Sequence, residues 1–106
     1  MSVLLYLILF AIAAPSPHVV DVSAKRFEFT PKEIHLRAGE PVTIRLASTD
    51  RAHGLMVKEL GVDLDANEGA PDSVTITPTQ PGTYPAICDH YCGSGHGNMR
   101  MTFIVE

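Results

Sequence analysis

The sequence predicts an all-β domain built as a sandwich or barrel of short strands. Three observations carry that prediction. Apolar and polar residues alternate in short runs, clusters rich in proline and glycine interrupt those runs at roughly even spacing, and no stretch of 3.6-residue periodicity is long enough for a sizeable helix.

Each run has the two-residue period that puts alternate side chains on opposite faces of a strand. After Pro15-Ser16-Pro17, Val20, Val22 and Ala24 alternate with Val19, Asp21 and Ser23. Phe27 and Phe29 flank Glu28, and Thr30-Pro31-Lys32 breaks the run. Ile34 and Leu36 then alternate with His35 and Arg37 up to the turn cluster Ala38-Gly39-Glu40-Pro41. Val42, Ile44 and Leu46 alternate with Thr43 and Arg45 as a half-buried strand. The segment from Gly61 to Asp72 is polar and irregular, with Asn67-Glu68-Gly69-Ala70-Pro71, and reads as a long connection over the surface. Val74 and Ile76 alternate with threonines, and Gln80-Pro81-Gly82 turns the chain into Thr83–Ile87. The final strand alternates Met101, Phe103 and Val105 with Arg100, Thr102 and Ile104.

A chain of 106 residues makes one domain. Its net charge of −4 and its lack of a basic cluster argue against a nucleic-acid partner. The apolar run from Val3 to Ala14 is shorter than the ~20 residues that a membrane-spanning helix needs. Its length and the A-x-A pattern Ala11-Ile12-Ala13 fit a signal peptide, although no Lys or Arg precedes the run. The expected organisation is therefore an N-terminal apolar segment, residues 1–14, acting as signal peptide or short membrane anchor, followed by a domain over residues 15–106. Export would place the domain in the periplasm or on the outer face of the cytoplasmic membrane.

The chemistry concentrates in Cys88–Met99, which reads C-D-H-Y-C-G-S-G-H-G-N-M and holds the only two cysteines of the chain. Thiolate with thioether is a donor set that favours copper over hard cations. The spacing C-x3-C-x3-H-x2-M lets Cys88, Cys92, His96 and Met99 fold toward one point, and His53, in S-T-D-R-A-H-G, is the upstream candidate for a further donor. In an oxidising compartment Cys88 and Cys92 could instead form a disulfide in a metal-free sandwich. His53, His96 and Met99 favour the metal reading. A mononuclear blue site needs one cysteine, two histidines and a weak methionine, which Cys92, His96, His53 and Met99 could supply. The second cysteine, Cys88, favours two coppers.

The loop, the upstream D-x-x-H-G and the strands between them resemble the copper domain of cytochrome c oxidase subunit II, whose dinuclear centre, CuA, also occurs in nitrous oxide reductase. The resemblance runs from about Phe27 to Val105. It implies a cupredoxin-like Greek-key β-sandwich whose metal loop joins the last two strands. It also implies that Cys88 and Cys92 bridge two copper ions, that His53 and Met99 complete one ion, and that His96 and the backbone carbonyl of His90 complete the other. The implied function is electron transfer without catalysis of its own, between a cytochrome c-like donor and an oxidase or reductase, with membrane oxidase subunits as possible partners. A copper chaperone would use the same soft ligands.

The chain departs from the family at His90, where glutamate is usual. A neutral imidazole does not replace a carboxylate for Mg²⁺, so the family's magnesium site is not expected here. The side chain of His90 reads as solvent-facing. His35 reads as a surface residue, and Met56 and Met101 as core filler or apolar rim. Asp50 either orients the His53 loop or simply forms a turn. Tyr84 precedes the metal loop and Tyr91 stands within it, close to the candidate donors, and there is no tryptophan for electron entry.

Overall fold

The computed structural model describes residues 18–26, 28–88 and 99–106. The apolar segment 1–14, Phe27, His90, Tyr91, Cys92 and His96 lie outside the described residues.

Nine strands are formed among them: β1 (His18–Lys25), β2 (Glu28–Thr30), β3 (Glu33–Leu36), β4 (Val42–Ser48), β5 (His53–Val57), β6 (Val62–Ala66), β7 (Asp72–Ile76), β8 (Gly82–Ile87) and β9 (Arg100–Val105). They build two sheets, one ordered β2-β1-β4-β7 and the other β3-β9-β8-β5-β6. The all-β sandwich predicted from the alternation is therefore the observed fold. No described helix is long and apolar enough to cross a membrane.

The alternation also decides what is buried. Val22 and Ala24 of β1, Ile44 and Leu46 of β4, Leu55 and Val57 of β5, and Met101 and Phe103 of β9 all point into one core. Their polar neighbours face out, as where Thr43 and Thr75 join by a 2.7 Å hydroxyl contact across β4 and β7. Such a sheet is polar on one face and apolar on the other, so two of them bury their apolar faces together.

The segment from Gly61 to Asp72 corrects the sequence reading. It is not simply a surface connection, because Val62–Ala66 pairs antiparallel with β5 from Val57↔Val62 to His53↔Ala66. Val62, Leu64 and Ala66 are buried while Asp63 and Asp65 face out. A single 3-10 turn, Lys58–Leu60, closes this hairpin, and Gly61 ends it at φ 73°, a left-handed conformation that glycine adopts without Cβ strain.

Two pairings join segments far apart in sequence. β1 runs parallel to β4, and β3 runs parallel to β9. The second leaves β9 inside its sheet, with β3 on one side and β8 on the other.

Candidate metal centre

Three of the sequence-predicted donors, His53, Cys88 and Met99, are described, and all three are buried at one end of the five-stranded sheet. β8 runs antiparallel to β9 from Gly82↔Val105 to Ile87↔Arg100. The next residue on each strand is Cys88 or Met99, and the Cys88 N–H donates to the Met99 carbonyl at 3.3 Å. This bond joins the adjoining ends of β8 and β9. β5 flanks β8 through Met56↔Ile87, and His53 opens β5 toward that same end.

Strand parity explains the burial. Met99 continues the inward row of Met101, Phe103 and Val105. Cys88 continues the row of Ala86, and His53 that of Leu55 and Val57. Ile87, one residue out of phase with Cys88, is 45% exposed.

His53 is fully buried. Its Nε2 lies 2.6 Å from Asp50 Oδ1. Its Nδ1 is buried and has no hydrogen-bond partner among the described residues. A buried imidazole nitrogen without a partner is uncommon in native proteins, and it is a borderline donor of the kind copper accepts. Together with a buried thioether and a cysteine sulfur, it makes a donor set that fits copper.

Asp50 is tied down in turn. Its Oδ2 accepts the Arg26 N–H at 2.8 Å and its Oδ1 the Arg51 N–H at 2.7 Å. Ser48, buried at the end of β4, donates its hydroxyl to the Arg51 carbonyl and accepts the Asp50 N–H at 3.3 Å. Burial alone would raise the Asp50 carboxyl. The Arg26 amide, the His53 side chain and the Arg51 amide outweigh it and hold the group at about 2. The two readings of Asp50 left open by the sequence thus both hold, since the turn that it forms is also the turn that delivers its carboxylate to His53. The Arg26 contribution comes from a backbone amide, so no residue pattern could have announced it.

Cys88 is disulfide-bonded in this structure. Thiolate ligation requires the reduced form. Cys92, His96 and the His90 carbonyl lie outside the described residues, and the described residues alone contain no group of three His, Cys, Asp or Glu side chains placed to hold a metal.

The remaining sequence candidates fall elsewhere. Met101 is core, while Met56 is half-buried on the outer face of β5. Tyr84 lies near the other end of β8, where its hydroxyl donates to the Gln80 carbonyl at 2.7 Å, so it does not flank the site in space. His35 is exposed and held between Glu33 and Glu106.

The cupredoxin-like domain family matches residues 1–105. Cytochrome c oxidase subunit 2 of Thermus thermophilus is 33% identical over 92 residues, a match covering 87% of this chain and 68% of that protein. Nitrous-oxide reductase of Cupriavidus necator is 30% identical over 91 residues, 82% of this chain but only 14% of the reductase. Among solved structures, a chain of a heme-copper terminal oxidase dimer superposes with a TM-score of 0.76 at 27% identity, covering 84% of this chain and 65% of the other. The chain thus spans about two thirds or less of each of these three proteins. The strand order, the juxtaposition of Cys88 and Met99, and these matches agree: the chain belongs to the cupredoxin-like family, among the relatives of cytochrome c oxidase subunit II.

Proposed function

We propose that this chain is an exported electron-transfer domain that holds copper at the loop end of its five-stranded sheet, in a dinuclear CuA-like centre. The observation that carries the reading is the buried, unpartnered Nδ1 of His53 at the sheet end where Cys88 and Met99 are joined. The other donors would be Cys92, His96 and the carbonyl of His90. When bound, the copper pair would supply a reversible one-electron site.

The protein's share is to fix donors and exclude water. His53 and Met99 are sealed in the core, so neither can swing away when charge changes nearby. Cys88 and Cys92 would hold the copper as thiolates, and spreading its charge over both sulfurs would keep each bond change small and electron transfer fast at low driving force. The domain itself would carry electrons rather than catalyse bond changes. Its partners would be a cytochrome c-like donor and a membrane oxidase or reductase. In this reading residues 1–14 export or anchor the chain, and residues 15–106 form the copper domain in the periplasm or on the outer membrane face.

The test is copper loading of the reduced protein. Two coppers per chain are expected, with a purple mixed-valence species whose EPR spectrum couples one electron to two copper nuclei. Cys88→Ser should abolish that spectrum. One copper per chain with an intense blue colour would replace the reading by a mononuclear site, and rapid release of copper to an acceptor protein would replace it by a chaperone.

A further inference from the structure

We propose that the outer face of the five-stranded sheet is where two copies of this chain meet as a symmetric dimer. One row of cross-strand partners runs over four of its strands. Asp63 of β6 stands opposite Met56 of β5, Met56 opposite Ile87 of β8, and Ile87 opposite Arg100 of β9. Residues directly opposed in antiparallel strands share one side of the sheet. Their chain neighbours Leu55, Val57, Leu64, Ala86 and Met101 are buried in the core, so the row itself faces outward. Its centre is apolar. Ile87 is one of only two large apolar side chains exposed among the described residues, Met56 beside it is half-buried, and Pro85 is exposed on the same face. Its two ends carry opposite charges.

That order selects the partner. A surface of a single charge sign would be attracted at one end of the row and repelled at the other. A second copy, turned about a two-fold axis that runs along the strands between β5 and β8, reverses the row. Asp63 then meets Arg100 of the second copy at both ends, and Met56 meets Ile87 at the centre. Asp65, the other outward aspartate of β6, adds to the acidic end. Such a contact uses one patch twice and closes after two copies. Five short strands present roughly 400 Å² on one face, about half of the ~800 Å² per partner in a standard interface. The dimer is therefore weak and forms at high protein concentration. It does not depend on the copper reading. Because the axis runs along the strands, the two Cys88 residues lie at the same end of the dimer.

The test is sedimentation of the metal-free, reduced full chain over a rising concentration series. A monomer–dimer equilibrium is expected, weakened by added salt because its end contacts are exposed ion pairs. Asp63→Lys and Arg100→Glu each turn two attractions into two repulsions, and each should weaken dimerisation by ~4-fold or more. Mixing the two variants should restore it, since in the mixed pair both end contacts again join opposite charges. Ile87→Ser should weaken the dimer with no change of charge. A chain that stays monomeric at millimolar concentration would overturn the proposal and leave the face to a different protein. Association that persists unchanged in all three variants would also overturn it, by placing the contact elsewhere on the chain, and so would a mixture that associates no better than its components. If a charge-reversed variant does not fold, Ile87→Ser and the salt series decide.

Discussion

His35 illustrates how two neighbours set the behaviour of one exposed side chain. Its Nδ1 lies 2.7 Å from Glu106 Oε1 and its Nε2 2.9 Å from Glu33 Oε1. The protonated ring donates to both carboxylates, whereas the neutral ring can donate to only one. The Glu106 bond first and the Glu33 bond second therefore raise its pKa above 6.5. Because the folded value is the higher one, the stabilisation is fully present below about pH 6.5 and fades as pH rises through the raised value. Solvent screening keeps it small. An NMR titration should find His35 above 6.5, and Glu106→Gln should bring it down. At the proposed copper site, Met99→Leu should retain copper but shift the potential, because a weak thioether tunes more than it holds. His90→Ala should leave the copper spectrum nearly unchanged, since alanine keeps the carbonyl that the resemblance assigns to the metal. Residue types identified His53, Cys88 and Met99 in the sequence. That Nδ1 rather than Nε2 is the unpartnered nitrogen of His53 became visible only with the Asp50 contact.

At the scale of elements, strands with a clean apolar row were legible, and β6 was not. Its inward residues are Val62, Leu64 and Ala66, the last of them small, and its outward residues are two aspartates, which strands disfavour. Asn67, Gly69 and Pro71 follow directly, so composition suggested a loop although the alternation was present. The strand forms because β5 lies beside it and the core needs its apolar row, a tertiary cause that no local window contains. Leu64→Ala should accordingly cost ~2–5 kcal/mol of unfolding free energy, as core truncations do. Asp63→Ala, on the outer face, should stay within ~0.5 kcal/mol. Urea denaturation of the two variants compares them directly. Equal and small losses would mean that β6 does not contribute to the core.

For the whole molecule, the fold class followed from periodicity, but the sheet order did not. The parallel pairs β1–β4 and β3–β9 bring distant segments together, and periodicity says nothing about partners. The candidate donors are distributed in the same way, with His53 on one strand and Cys88 and Met99 at the adjoining ends of two later ones, so ligation would require the finished sandwich. Copper should therefore stabilise the native state alone, raising Tm with free metal concentration and losing the effect to a chelator. A Tm indifferent to copper would show that the native fold gains nothing from the metal.

The central place of β9 has a consequence in time. It is the last of the described strands to be synthesised, yet it lies between β3 and β8. As the chain emerges, the β5–β6 hairpin can form early, but β3 cannot join the rest of the sheet until β9 has emerged as well. Chains whose pairing is so non-local fold in roughly milliseconds to seconds. During that interval the edges of β3 and β8 are open to other chains, and Met99 has not yet been brought beside Cys88. Assembly of the metal site would thus be a late event, following the emergence of the strand that completes the sheet.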